Sequence, residues 1–167
     1  MPGVGKTFLG NYASQRLGVD FVDLDKTIEE TQQATISEIF RTRGEESFRD
    51  LELSTLKTII KDIKSDTIMA TGGGTPCFNN AMDVMKKSGM TVWMDSDIDH
   101  LIENMRSDLI SRPLLDDKTE KDLRIFLMEL YQSRAVFYAQ SDLKVSVYRG
   151  LSPDLFTKQL HLSTFVK

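Results

Sequence analysis

Cysteine and histidine are scarce in this sequence, which limits the metal and redox chemistry that it can support. Cys77 is the only cysteine, so the chain cannot form an intrachain disulfide or a zinc site with several thiolate ligands. The two histidines, His100 and His161, lie far apart, and neither belongs to a cluster with metal-ligand spacing. A site built on several cysteines or histidines is therefore not expected.

Long apolar runs are also missing. No stretch reaches the roughly 18 apolar residues that a membrane-spanning helix needs. The first residues do not show the basic and then apolar pattern of a secretory signal. We therefore expect a cytoplasmic protein that makes no contact with a membrane.

An excess of basic charge is the third absence. The 21 basic and 25 acidic residues give a net charge of −4 at pH 7, whereas nucleic-acid binding usually requires a basic surface. A nucleic acid is therefore not the expected partner, although a few clustered arginines can still bind a small anionic substrate. With 167 residues, of which 40% are apolar, the chain fits one globular domain spanning 1–167.

The apolar pattern alternates between helical and extended periodicity. Strands separated by helices indicate βαβ units, and therefore a parallel sheet with helices on both faces. The sequence predicts strands at 20–24, 67–70, 91–94 and 143–147. It predicts helices at 6–17, 25–33, 35–43, 45–63, 79–87, 97–106 and 120–138, and a last helix from 152 onward.

A glycine-rich segment opens the chain. Its residues Gly3-Val4-Gly5-Lys6-Thr7 match the end of the phosphate-binding pattern G-x-x-x-x-G-K-[ST]. Glycines let backbone N–H groups turn toward phosphate oxygens, and the helix that follows directs its positive end at the same anion. The first glycine of the pattern and its preceding strand would lie before Met1. We therefore expect this sequence to begin inside a longer natural chain. The alternative to a phosphate-binding loop at residues 3–7 is a chance glycine-rich start before an ordinary helix.

Two carboxylates, Asp23 and Asp25, lie two residues apart at the end of the first predicted strand. The alternation of side chains along a strand places both at the carboxyl edge of the sheet, where ligands bind in open α/β folds. One of them can hold Mg²⁺ through water, and the other can accept a proton from an attacking hydroxyl. Alternatively, Asp25 only caps the next helix.

Arg49 and Glu52 lie three residues apart on a predicted helix, as an ion pair on one face would. A guanidinium held by a carboxylate is suited to bidentate recognition of a second carboxylate. A routine surface ion pair is the alternative.

The run Gly72-Gly73-Gly74 follows a predicted strand. Three consecutive glycines predict a close backbone approach to a ligand, unless they only form a flexible turn.

Further basic residues lie in the second half of the chain. Arg112 lies in a polar segment without clear period at 107–119, which we interpret as a loop that closes over a site. Arg106 precedes this loop, and Arg134 lies on a long predicted helix. For each arginine taken alone, an ordinary solvated surface position is the alternative.

The ordered set of motifs resembles that of the shikimate kinases, a P-loop family similar to the nucleoside monophosphate kinases. It comprises G-V-G-K-T at 3–7, D-L-D at 23–25, G-E-x-x-F-R-x-x-E at 44–52, T-G-G-G at 71–74, R-P-L-L at 112–115, and Arg134 followed by Tyr138. The resemblance implies a three-layer α/β/α fold with a parallel sheet, substrate-binding helices at about 25–62, and a lid at about 107–119. The family's sheet has five strands, and its first, central strand is absent from this sequence.

The resemblance implies that ATP phosphorylates the 3-hydroxyl of shikimate, a step of chorismate and aromatic amino-acid biosynthesis, in a monomeric enzyme. It assigns Gly3, Val4, Gly5 and Lys6 to the phosphates, Thr7 and Asp23 to Mg²⁺, and Asp25 to the shikimate hydroxyls as base. It assigns Arg49, Arg134, Gly72, Gly73, Gly74, Phe40, Phe48 and Glu52 to the shikimate pocket, Arg112 to the transferring phosphate, and Arg106, Arg149 and Pro153 to the adenine side.

Two other interpretations remain open. The first is a different small-molecule kinase of the same group, such as one that phosphorylates gluconate. The second is a truncated relative that binds shikimate but transfers no phosphate, because the phosphate-binding pattern is incomplete.

Overall fold

The computed structural model describes residues 1–107 and 119–164, and the side chains of residues 1–106 and 119–161. The chain divides into two compact units, one formed by Met1–Lys6 with Met90–Lys167, and the other by Thr7–Gly89. The prediction of one domain over 1–167 stays a prediction. The predicted lid at about 107–119, with Arg112, lies almost wholly outside the described residues.

The unit Thr7–Gly89 contains a parallel pair of strands in which Asp20 is opposite Thr67 and Asp23 is opposite Ala70. Its core combines side chains of the helices, and it buries Leu24, Ile28, Ile39, Phe48, Leu56 and Ala81. In chain order its elements are α1 (Lys6–Leu17), β1 (Asp20–Asp23), α2 (Leu24–Gln32), α3 (Ile36–Asp62), β2 (Thr67–Ala70), a 3₁₀ turn (Thr75–Cys77) and α4 (Ala81–Ser88).

The helix α3 begins at a capping box and bends at a glycine. The Thr35 side chain accepts a hydrogen bond from the Glu38 N–H, and the Glu38 side chain accepts one from the Thr35 N–H. Gly44 has φ 78° and ψ 170°, a backbone conformation that is open almost only to glycine. The predicted break at Gly44 is therefore a kink between two helical segments.

The other unit contains a second parallel pair, in which Val92 is opposite Leu143 and Asp95 is opposite Ser146. Helix α5 packs against α6, and α7 packs against β4. The Ser152 hydroxyl accepts a hydrogen bond from the Leu155 N–H at 3.2 Å, so Ser152 is the N-cap of the last helix. The elements of this unit are β3 (Val92–Asp95), α5 (Ile98–Ser107), α6 (Glu120–Tyr138), β4 (Leu143–Ser146) and α7 (Pro153–Thr164).

The strands are parallel, as the sequence predicts, but they form two separate two-stranded sheets. Within residues 1–107 and 119–164, no further strand joins the two pairs. None of the helices in these ranges has the length and apolar character that crossing a bilayer requires.

Most element boundaries agree with the predicted ones to within one or two residues. The largest difference is the start of α4, which the pattern places at 79 and the structure at Ala81. Asn79 and Asn80 have φ values of 51° and 55°. These left-handed conformations cannot belong to a right-handed helix, and asparagine tolerates them better than most residues.

Candidate active site

The glycine-rich start forms a tight loop that packs on α5. Gly3 and Gly5 have φ values of 74° and 84°. A Cβ atom on Gly3 would lie only 2.8 Å from the Leu101 carbonyl oxygen. The Gly3 carbonyl also accepts a hydrogen bond from the Asn104 amide at 2.8 Å. The loop therefore requires glycine at this position for both its conformation and its packing.

Lys6 is the first residue of α1, directly after this loop. Its ammonium group donates a hydrogen bond to the Met1 carbonyl at 3.0 Å. The side chain therefore folds back along the loop whose backbone N–H groups are predicted to bind phosphate, so its charge lies beside that loop.

Thr7 and Asp23, the two predicted Mg²⁺ ligands, are in direct contact. The Thr7 hydroxyl donates to Asp23 Oδ2 at 2.7 Å, and Asp23 Oδ1 accepts from the Lys26 N–H at 3.2 Å. Asp23 is therefore the N-cap of α2, which excludes the interpretation that Asp25 is only the cap. A hydroxyl and a carboxylate are the hard oxygen donors that Mg²⁺ prefers, and Mg²⁺ needs few protein ligands because it keeps several waters. These two side chains fit such an ion.

A pocket of about 380 Å³ opens beside this pair. It is lined by Thr7, Asn11, Phe21, Val22, Asp23, Lys26, Thr27 and Glu30.

Asp25 lies in the first turn of α2 and faces the glycine run after β2. A Cβ atom on Gly72 would lie 3.1 Å from each of three oxygens, which belong to Asp25, Glu52 and Thr75. Only a residue without a side chain leaves this space open, so Gly72 lets three polar side chains converge on the backbone.

The Arg49 guanidinium is held by two carboxylates of its own helix. Nη1 donates to Glu52 Oε2 at 2.9 Å, while Nη2 and Nε contact Glu45 Oε1 at 3.1 and 3.3 Å. The Glu52 side chain is 3% exposed and that of Glu45 is 56% exposed. Glu52 therefore holds Arg49 from inside the protein, whereas Glu45 contacts it from the solvent side.

Three aromatic rings surround the same guanidinium. Its central carbon lies 4.3 Å from the ring centre of Phe78, 5.1 Å from that of Phe48 and 5.6 Å from that of Phe40. Such contacts stabilise a cation and limit its rotation. The Gly74 backbone also lies against the guanidinium, because a Cβ there would lie 2.6 Å from Arg49 Nη2. Arg49, Phe40, Phe48 and the glycine run are therefore brought together as predicted, and we call this group the arginine cage.

Three residues of this region were missed as site residues by the sequence reasoning. Glu45 has the i, i+4 spacing to Arg49 that places both on one helix face, so its contact could have been predicted. Thr75 and Phe78 contact Glu52 and Arg49 from the segment after β2. Spacing along the sequence does not predict contacts between such distant segments.

The remaining predicted residues belong to the other unit. Arg106 pairs with Glu120 at 2.9 Å, and Arg149 pairs with Glu103 at 3.3 Å. Arg134 is half-buried on α6, and Pro153 is the first residue of α7. Their predicted roles in substrate binding stay predictions.

A second pocket, of about 500 Å³, lies at the end of β3 and contains none of the predicted site residues. Burial raises the pKa of the Tyr131 hydroxyl in its wall above the ordinary value, and the nearby Asp95 carboxylate adds to the shift.

Comparison with known proteins decides the family. The sequence model of the family described as shikimate kinase matches residues 2–163. The chain belongs to the shikimate kinase family. A shikimate kinase from Bacteroides fragilis is 39% identical over 140 residues, which cover 84% of this chain and 77% of the relative. The resemblance stated from the motifs is thereby confirmed.

Solved structures of shikimate kinases agree with this assignment. The enzyme from Bacteroides thetaiotaomicron has a TM-score of 0.89 at 32% identity, covering 96% of this chain and 92% of its own. The Acinetobacter baumannii enzyme, solved in complex with shikimate, has a TM-score of 0.85 at 30% identity, covering 99% of this chain and 92% of its own. The predicted P-loop α/β kinase fold is confirmed for this shikimate kinase family member.

Proposed function

We propose that this chain transfers the γ-phosphoryl group of ATP to the 3-hydroxyl of shikimate. The observation that carries the proposal is the arginine cage, whose glycine run is faced by Asp25. The Asp25 carboxylate lies beside Gly72 and the Arg49 guanidinium beside Gly74, so both groups face the same glycine run. Membership of the shikimate kinase family, and a solved relative that binds shikimate, support the same reaction.

Arg49 is proposed to bind the shikimate carboxylate. Its planar fork can make two parallel hydrogen bonds to a carboxylate, and the rings of Phe40 and Phe48 offer an apolar surface for the carbon ring of the substrate. Gly73 is proposed to contact the substrate through its backbone. Arg134 is retained as the second carboxylate ligand on the resemblance alone.

Asp25 is proposed to accept the proton of the attacking 3-hydroxyl. A carboxylate can do this when it lies within hydrogen-bond reach of that hydroxyl in the bound substrate. Its position over Gly72, next to the cage, is consistent with a substrate held at its carboxylate by Arg49.

Lys6 and the N–H groups of residues 3–7 are proposed to bind the ATP phosphates. Thr7 and Asp23 would hold Mg²⁺, which neutralises phosphate charge when bound. Phosphoryl transfer depends mainly on positioning and on offsetting negative charge, which are the tasks that these residues can perform. Arg112 is proposed to add positive charge at the transferring phosphate, and Arg106, Arg149 and Pro153 are proposed to contact adenine.

We further propose that the protein is monomeric and cytoplasmic, with residues 107–119 as the lid. The lid would exclude water, which otherwise competes with the substrate hydroxyl for the phosphoryl group.

A coupled assay of ADP release tests the function. We expect turnover with MgATP and shikimate, little release without an acceptor, and little with gluconate. Asp25→Asn should lower kcat by at least about a hundredfold and leave ATP binding intact, because it removes only the base. Turnover of gluconate instead of shikimate would contradict the proposal. Shikimate binding without ADP release would favour the inactive relative.

A further inference from the structure

Thr75 is the most deeply buried polar residue of the candidate site. It is 1% exposed, and its hydroxyl donates a hydrogen bond to Glu52 Oε1 at 2.6 Å. Glu52 is itself 2% exposed. A short hydrogen bond to a buried carboxylate is a strong one, and its loss leaves an acceptor without compensation.

The two Glu52 oxygens have separate donors. Oε1 accepts from Thr75, whereas Oε2 accepts from Arg49 Nη1 at 2.9 Å. A carboxylate is rigid and planar, so a donor that fixes one oxygen also fixes the direction of the other. The Thr75 hydroxyl therefore fixes how Glu52 meets Arg49, and with it the direction of the guanidinium edge formed by Nε and Nη2.

Thr75 also closes the glycine run on itself. Its N–H donates to the Gly72 carbonyl at 3.2 Å, and its hydroxyl oxygen is one of the three that surround Gly72. One residue thus joins the backbone predicted to meet the substrate with the carboxylate that orients Arg49.

We propose that Thr75 is a positioning residue for shikimate, which acts through Glu52 to orient the carboxylate-binding edge of Arg49. The proposal rests on the proposed function. It concerns the anionic group of the substrate, so it predicts a selective effect on shikimate and none on ATP.

Two variants separate the hydroxyl from the methyl group. Thr75→Val keeps the shape and removes the donor, whereas Thr75→Ser keeps the donor and removes the methyl. We expect Thr75→Val to raise KM for shikimate about tenfold, the size of effect that loss of a hydrogen bond to a charged group produces. KM for MgATP should stay within twofold, and Thr75→Ser should stay near the wild type.

The uncharged carboxamide of shikimate provides a readout that a purely structural role would not change. Arg49 cannot form an ion pair with it, so we expect its inhibition constant to differ little between the wild type and Thr75→Val. Equal tenfold losses for shikimate and the carboxamide would overturn the proposal. So would a shikimate KM within twofold of the wild type, or a Thr75→Ser variant as impaired as Thr75→Val.

The wild type is measured first, by ADP release and by calorimetric binding of shikimate. Absence of shikimate turnover and binding in the wild type would remove the proposed function, and this positioning role with it. Normal wild-type turnover combined with an unaffected Thr75→Val would overturn the positioning role alone. If Thr75→Val does not fold, Thr75→Ala replaces it and is compared with Thr75→Ser by the same criteria.

Discussion

Arg49 shows how one side chain is fixed on several sides at once. Glu52 binds one end of its guanidinium, rings lie around its plane, and Glu45 binds the remaining edge. The two carboxylates use different N–H groups of one planar guanidinium. A lysine at this position keeps the charge but cannot reproduce the fork.

We therefore expect Arg49→Lys to raise KM for shikimate about tenfold or more, while KM for MgATP changes little. Steady-state kinetics with each substrate varied in turn measures both constants. Arg43→Lys is the matched control, since Arg43 lies on the same helix, is exposed and, among the described residues, its side chain hydrogen-bonds only to Gln32. Equal increases in both Michaelis constants would refute the assignment of Arg49 to the carboxylate.

Local sequence spacing predicted the ion pair of the cage. Arg49 and Glu52 lie three residues apart on α3, so their contact follows from the helical period. Phe40 and Phe48 were assigned to the pocket by the family resemblance alone. Thr75 and Phe78 could not be predicted in this way. Their contacts with Glu52 and Arg49 depend on how the segment after β2 packs on α3, and that packing is a tertiary property.

The kink of α3 is a feature of the element, and it depends on Gly44. Its φ of 78° with ψ of 170° is strained for any other residue, although a Cβ there would meet no atom within 4 Å. We expect Gly44→Ala to lower the free energy of unfolding by about 1–3 kcal/mol, from backbone strain alone.

Urea denaturation of Gly44→Ala measures this change. Gly89→Ala is the control, because Gly89 has φ 175°, an extended conformation open to any residue, and its Cβ would also meet no atom within 4 Å. If both variants lose the same stability, the loss does not come from the kink.

The capping box of α3 predicts a pH dependence. Hydrogen bonds from the Thr35 N–H, and then from its hydroxyl, lower the pKa of Glu38. A carboxyl whose pKa is lowered by folding stabilises the folded state above its unfolded pKa of about 4.3, and this contribution is lost as the pH falls through the folded pKa. The stability advantage of the wild type over Glu38→Gln should therefore shrink between about pH 5 and pH 3.

Urea titrations of both proteins at several pH values test this, because the other carboxyls titrate in both and cancel in the difference. Glu46→Gln is the control, since Glu46 is an exposed residue of the same helix whose side chain makes no hydrogen bond within the described residues. A difference that stays constant down to pH 3 would show that the capping carboxylate does not contribute.

Elements were predicted well where the pattern is strong. Helix α6 and strand β2 have the predicted bounds, Glu120–Tyr138 and Thr67–Ala70. The start of α4 was placed too early because the two left-handed asparagines before it carry no clear signal in the apolar pattern. The partition of four strands into two pairs was also not predicted, because pairing depends on contacts between distant segments.

At the scale of the whole molecule, ligand binding should appear as stability. A ligand at about 100 times its Kd adds about 2.7 kcal/mol, which for a chain of this size raises Tm by roughly 5–10 °C. We expect shikimate and MgATP each to raise Tm of the wild type. Arg49→Lys should reduce the shikimate shift alone, and Lys6→Ala the MgATP shift alone.

Differential scanning fluorimetry at fixed ligand concentrations provides the measurement, with gluconate as the control ligand. Loss of both shifts in Arg49→Lys would mean that the variant disturbs more than the shikimate site. An equal shift with gluconate would point to general stabilisation by polyhydroxylated acids.

Glu45 adds a second carboxylate to the proposed contact between Arg49 and shikimate. Its carboxylate already contacts the Arg49 edge formed by Nε and Nη2, and it does so from a largely exposed position. A substrate carboxylate that takes this edge exchanges one ion pair for another, and Glu45 returns to water. The affinity would then reflect a difference between two carboxylates, so dissolved salt, which weakens both pairs, should affect shikimate binding less than an arginine–carboxylate contact suggests.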